Sequence, residues 1–147
     1  MPPDDFEQVR EVLHDEFGAP LEDVFSFFDP EPVASASMAQ VHRARLLDGR
    51  TVAVKVQRPG IGPAIRSDIH ILYSLAHLLT GRLQLPGIYS PVEIVQEFDA
   101  AITMELDFIQ EARAARRFNK HFADQANVSA PVVYGEFTTA RVLVQEF

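Results

Sequence analysis

Cysteine is absent from the chain, which excludes disulfide stapling and thiolate metal sites. Basic residues are scarce. Lys and Arg number 13 against 21 Asp and Glu, a net charge of -8 over 147 residues. A surface of that sign repels a phosphate backbone and excludes a general nucleic-acid binder. The local basic group Arg113, Arg116 and Arg117 reads as a solvated helix face. A long apolar run is also lacking: the best, residues 69–79, is broken by His70 and His77 and falls short of the ~20 residues a bilayer span needs. The opening MPPDDFEQVREV is acidic and has no apolar centre of a secretory leader, so the segment is expected to be soluble as it stands. What is present is a hydrophobic content of 47% with eleven Phe, enough for one domain with a packed core.

Residues 4–17 place Val9, Val12, Leu13 and Phe17 at helical spacing, and Gly18 with Pro20 supplies the stop. PLEDVFSFF predicts a second short helical turn ending at Asp29-Pro30. Three strands follow, EPVASAS, QVHRARLL and TVAVKVQ, with Asp48-Gly49 as the turn between the last two. Alternation puts Val52, Val54 and Val56 on one face and Lys55 on the other. A helix is predicted over about 63–79, then a GRLQLPGIYSP loop, then a long helical pattern over 91–122 with a break near 104–107. Two strand-like runs, APVVYGEF and ARVLVQEF, close the chain. This order predicts an α+β fold with a five-stranded antiparallel sheet, the topology of a protein-kinase N-lobe carrying extra helices. The domain reading is a helical extension over 1–28 and the lobe over 29–147, with a helical insertion at about 63–100.

Glycine is missing where a phosphate loop would need it. From Ala34 the pattern is A-x-A-x-x-A-x-V, the spacing of a kinase glycine-rich loop with each glycine replaced. Alanine in the left-handed region costs ~1 kcal/mol or more, so this loop should keep negative φ and be stiff. Lys55, fourteen residues beyond Val41, stands where a strand lysine would reach the α- and β-phosphates. Ala53 is small where an adenine ring needs room, and Val41 would cover it. Glu105, Asp107 and Glu111 form an acidic group; Asp107 and Glu111 are four apart, and Glu111 has only Ala114 and Ala115 one turn on. Each is therefore expected to find a cation elsewhere, with Lys55 the partner for Glu111. His14, His42, His70, His77 and His121 show no metal-type pairing, and no metal site is expected.

FDPEPVASASMAQVHRARLLDGRTVAVKVQRPGI, ELDFIQEARAARRF and VLVQEF together resemble the UbiB/aarF-domain atypical kinases, whose hallmark is an alanine-rich loop. The resemblance spans almost the whole chain. It implies that Ala34, Ser35, Ala36, Ser37, Met38, Ala39 and Gln40 form the nucleotide loop. Lys55 and Glu111 would be the catalytic pair, with Val41, Ala53 and Glu146 also at the nucleotide, Glu146 from the hinge. Glu105 and Asp107 resemble an E-x-D motif that engages a regulatory K-x-G-Q segment, absent from this sequence. Implied ligands are ATP or ADP with Mg²⁺, the metal ligands lying in a C-lobe that this chain lacks. The implied function is a kinase-like ATPase or phosphotransferase in ubiquinone or isoprenoid-lipid biosynthesis, inactive as this segment alone. Implied partners are the C-lobe, the K-x-G-Q segment, and lipids or quinone-biosynthesis proteins. The implied parent is cytoplasmic and membrane-associated in a bacterium, or organellar in a eukaryote. The alternative is a pseudokinase-type scaffold binding a protein or lipid partner.

Overall fold

A computed structural model describes residues 2–82 and 90–147. Most of the GRLQLPGIYSP loop lies outside the described residues. The chain divides into two units, Met1–Pro59 with Leu106–Phe147, and Gly60–Glu105.

The first unit is built on a four-stranded antiparallel sheet in the order β1 (Phe25–Ser35), β2 (Ala39–Leu46), β3 (Thr51–Gln57), β4 (Val142–Glu146). Helix α1 (Phe6–Phe17) packs on one face of it. Asp5 starts that helix, its Oδ1 accepting the Glu7 N–H at 2.9 Å, and Gly18 ends it at φ 64° with its N–H on the His14 carbonyl. The predicted spacing of Val9, Val12 and Leu13 is the buried stripe. These side chains meet Phe25, Leu46, Val52, Val54, Val56, Val142 and Val144 in one core. The alternation in TVAVKVQ is thus realised: the even positions of β3 face α1, and the odd positions face the other way.

Strand β1 is an edge strand holding Pro30 and Pro32, and its pairing with β2 slips at three places. Proline cannot donate to a ladder, so an edge position with bulges is where it can be accommodated. Helix α4 (Phe108–His121) covers part of the opposite face, where Phe108 and Ala112 pack with Ala39 and Leu143.

The second unit is a helix pair, α2 (Ile61–Leu79) and α3 (Pro91–Glu105). Pro91 opens α3 behind a reciprocal cap: the Glu93 carboxylate accepts the Ser90 N–H at 2.7 Å, and Ser90 Oγ accepts the Glu93 N–H at 3.2 Å. The Tyr73 hydroxyl donates to Asp99 Oδ2 and ties the two helices. Ile71, Leu75, Leu78, Ile94 and Phe98 remain exposed on this unit. Among the described residues, no helix is long and apolar enough to cross a membrane.

Two expectations are corrected. The sheet has four strands rather than five: APVVYGEF contributes a bridge, Val133 to Gln145, and then a 3-10 turn, Gly135–Phe137. The bridge carries two backbone bonds, Tyr134 N–H to the Val144 carbonyl and Glu146 N–H to the Val132 carbonyl, and beyond it side chains serve β4: Thr139 Oγ1 accepts the Val142 N–H and Thr138 Oγ1 the Val144 N–H, both at 3.2 Å. The helical turn expected in PLEDVFSFF is only Leu21–Asp23, and β1 begins at Phe25, inside the stretch read as a helical extension. Helix α1 supplies one layer of the sheet's own core. The break in the long helical pattern falls where it was expected, between α3 and α4.

His42 is fully buried on the core face between the Phe6 and Phe28 rings. Its Nδ1 lies 2.8 Å from the Asp29 carbonyl and its Nε2 3.0 Å from Gln40 Nε2. A neutral ring with the proton on Nδ1 satisfies both, donating to Asp29 and accepting from Gln40. Burial therefore lowers its pKa from the ordinary 6.5, only partly opposed by the Asp29 carbonyl. The unfolded chain takes up a proton as pH falls through about 6.5, whereas the folded chain takes it up at lower pH. Folding stability should thus fall as pH drops below that value, levelling off beneath the folded pKa. Urea unfolding across this range should show the decline, and His42→Phe should flatten it whatever its effect on stability at neutral pH.

Candidate functional site

Lys55 sits on the face of β3 opposite the α1 core, paired with Val41 on one side and Leu143 on the other. One pair further along, Ala53 stands between Arg43 and Gln145. Directly paired residues share a sheet face, so Val41, Arg43, Ala53, Lys55, Leu143 and Gln145 line one surface.

Helix α4 is set against this surface by two links at its start, and its first turn is closed by a cap. The Phe108 N–H donates to the Ala140 carbonyl at 2.9 Å, and Gln57 Nε2 donates to the Leu106 carbonyl at 2.7 Å. Asp107 is the N-cap, Oδ1 accepting the Ile109 N–H at 3.0 Å and Oδ2 accepting from Gln110 Nε2 at 3.3 Å. Glu111, one turn in, then meets Lys55: Nζ donates to Oε2 at 2.8 Å and Oε1 at 3.1 Å. The ammonium also lies 4.8 Å from the centre of the Phe108 ring. The side chains are 31% and 48% exposed, open enough for a ligand to reach the cation.

The expected partner of Glu111 is the observed one. Asp107 differs from expectation, because its carboxylate is engaged by the helix start rather than by a cation. At the cap its charge is answered by the Ile109 N–H and the Gln110 amide in place of a cation. Glu105 is exposed at the end of α3 in the helical unit.

Ala34 and Ser35 end β1 opposite Val41 and Gln40. Ala36, Ser37 and Met38 turn the chain, closed by a hydrogen bond from the Ala36 N–H to the Ala39 carbonyl at 2.9 Å. Among the described residues positive φ occurs only at glycine, at positions 18, 49, 60 and 81, so the loop holds negative φ throughout, as its composition required. Gln40 turns its side chain to the core face, where Oε1 accepts the Asp4 N–H at 3.0 Å, leaving only its backbone to the loop. Glu146 is exposed at the end of β4, its N–H donating to the Val132 carbonyl at 2.8 Å.

Among the described residues no group of three His, Asp or Glu side chains could hold a metal ion. A depression of about 300 Å³ opens near the hairpin end of the sheet, lined by Phe27, Arg43, Ala44, Arg45 and Thr51 and by none of the expected site residues. Sequence reasoning passed over Gln57, Arg58 and Leu143. For Arg58 a signal existed: the inward alternation 52, 54, 56 continues to 58, and an arginine on a buried face needs partners.

The ABC1 atypical kinase-like domain matches the chain over residues 1–147. A protein named "Probable protein kinase UbiB" from Marinobacter nauticus is 39% identical over 99% of this chain and 27% of its own length. One of the same name from Pseudomonas aeruginosa is 40% identical with the same coverage, and an uncharacterised Synechocystis protein is 38% identical over all of this chain and 27% of its own. The chain thus spans about a quarter of these relatives. A solved structure described as Rv3197 with erythromycin, from Mycobacterium tuberculosis, superposes with a TM-score of 0.85 at 36% identity, covering 99% of this chain and 36% of the other.

Phe108 and Glu111 support Lys55 differently, and stability should separate them. Phe108 is buried, and Phe108→Ala should cost about 3–5 kcal/mol of unfolding free energy. Glu111→Gln removes a half-exposed ion pair and should cost under about 1 kcal/mol. A loss of several kcal/mol in Glu111→Gln, measured by urea unfolding, would make the pair a structural element rather than a poised site.

Proposed function

Because the chain belongs to the ABC1 atypical kinase-like family, we propose that it is the nucleotide-binding N-lobe of a kinase-like ATPase or phosphotransferase acting in ubiquinone or related isoprenoid-lipid metabolism. The observation that carries this reading is the Lys55–Glu111 pair, which stays part-exposed on the sheet face that α4 partly covers. Two of the three ammonium hydrogens have the Glu111 oxygens as acceptors, and the third is left for a phosphate oxygen. Glu111 holds the lysine aimed, and the Phe108 ring limits its sideways travel. Val41 and Ala53, beside Lys55 and one pair away from it, would be the apolar contacts of a purine. The loop from Ala34 to Ala39 would close over the phosphates without the backbone freedom of glycine. Glu146 would meet the base from the hinge.

Mg²⁺ would neutralise phosphate charge in such a site, but the described residues do not assemble a set to hold it, and its ligands are assigned to the rest of the parent protein. Glu105 and Asp107 are assigned, on family resemblance, to contact with an upstream regulatory segment. For Asp107 this contact would have to coexist with its work as a helix cap.

Thermal unfolding of the full-length parent with Mg-ATP or Mg-ADP tests the reading. A ligand at ~100 times its dissociation constant stabilises by roughly 2.7 kcal/mol, and Lys55→Ala should abolish that shift. If neither wild type nor variant shifts, a non-catalytic scaffold becomes the better account. A second variant addresses the loop: Ala36→Gly should loosen it and change the ratio of ATP to ADP affinity, while an unchanged ratio would remove loop stiffness from nucleotide selection.

A further inference from the structure

Arg58, at the end of β3, is 6% exposed and continues that strand's inward alternation onto the α1 face. Its guanidinium works in two directions. Toward the alanine-rich loop, Nε donates to the Ala36 carbonyl at 2.9 Å and Nη2 to Ser35 Oγ at 2.8 Å. Toward the segment ahead of α1, Nη1 donates to Asp4 Oδ2 at 2.8 Å and Nη2 to the Pro2 carbonyl at 3.0 Å. Its backbone N–H adds a bond to the Met38 carbonyl at 2.9 Å. Four of the five guanidinium hydrogens therefore have acceptors, divided evenly between the two segments. The same upstream segment reaches β2 through the Asp4 N–H on Gln40.

We propose that Arg58 is a positioning residue that latches the alanine-rich loop to residues 2–4, so that the segment upstream of α1 sets the conformation of the loop and, through it, affinity for a nucleoside phosphate. The second half rests on the nucleotide reading above; the latch itself does not. The grip comes from the face opposite Lys55, so it fixes the loop without occupying the ligand surface. Removing the upstream segment would also leave a buried cation without its counter-charge, a costly state that Arg58 can relieve only by withdrawing from Ser35 and Ala36. Loop and segment are thereby coupled: either both are docked or both are released.

The test uses the full-length parent with Asp4→Ala, Asp4→Glu and Arg58→Lys. Hydrogen–deuterium exchange is followed in peptides covering residues 34–41, and affinities for Mg-ATP and Mg-ADP are measured beside it. Loss of a charge-assisted bond should raise exchange in this loop about tenfold in Asp4→Ala, with the β3 and β4 core unchanged. Asp4→Glu should restore protection, and Arg58→Lys, which keeps the charge but loses the fork, should be intermediate. The ratio of ATP to ADP affinity should move with loop exchange. Unchanged loop exchange in both Asp4→Ala and Arg58→Lys would overturn the latch. Raised exchange with both affinities unaltered would overturn its coupling to the ligand. If wild type binds neither nucleotide, the nucleotide reading fails, and the latch stands or falls on exchange alone.

Discussion

Strand β3 is paired along both edges and packed on both faces, and the rest of the sheet unit takes its bearings from that constraint. Val52, Val54 and Val56 bind it to α1 and the main core, while Ala53, Lys55 and Gln57 point to the surface shared with α4. With ladders to β2 and β4 on either side, the backbone at Lys55 has little freedom. The long lysine side chain therefore starts from a fixed base, and Phe108 and Glu111 have only its outer bonds to restrain. A half-exposed ion pair of small net stability can still set direction under those conditions.

The alanine-rich loop follows the same logic of restraint. Glycine appears in this chain where positive φ is required: Gly18 ends α1, and Gly49 turns the β2–β3 hairpin. In the loop no residue needs that conformation, and alanine narrows the unfolded ensemble relative to glycine, which favours one folded shape. A stiff loop still has to be held somewhere. The single turn closed by Ala36 and Ala39 is too short to fix its own orientation, so its anchorage to Arg58, through the carbonyls of Ala36 and Met38, acquires its importance from the missing glycines.

Much of this was legible in the sequence because period and chemistry agreed. Residues 51–57 alternate cleanly, α1 carries a clear stripe between an Asp cap and a Gly stop, and Lys55 with Glu111 could be paired by the absence of any nearer cation. The failures lie where local pattern and tertiary partner disagree. APVVYGEF has strand composition, yet Pro131 removes a donor, the Asn119 side chain takes both backbone groups of Ala130, and beyond a single bridge threonine hydroxyls take the N–H groups of Val142 and Val144. In PLEDVFSFF a helical spacing of apolar residues coincides with β-favouring aromatics, and pairing of Phe25 with Leu46 decides for the strand. Asp107 looked like half of a charged motif because capping depends on where the helix starts, which sequence places only to within a few residues.

The two faces of the sheet divide the work, and Arg58 shows why the division matters. A group that held the loop from the Lys55 side would compete with any phosphate for the same space. Holding it from the core side requires a long, forked, permanently charged side chain that can cross the end of the strand, and arginine alone has five donors in such a geometry. The requirement that its charge be answered in a buried setting then brings in Asp4, and Asp4 lies directly before the residue that caps α1. The start of α1, the loop and the face at Lys55 thus meet at the end of one doubly packed strand, where a part-buried ion pair joins the first two from the side away from the third.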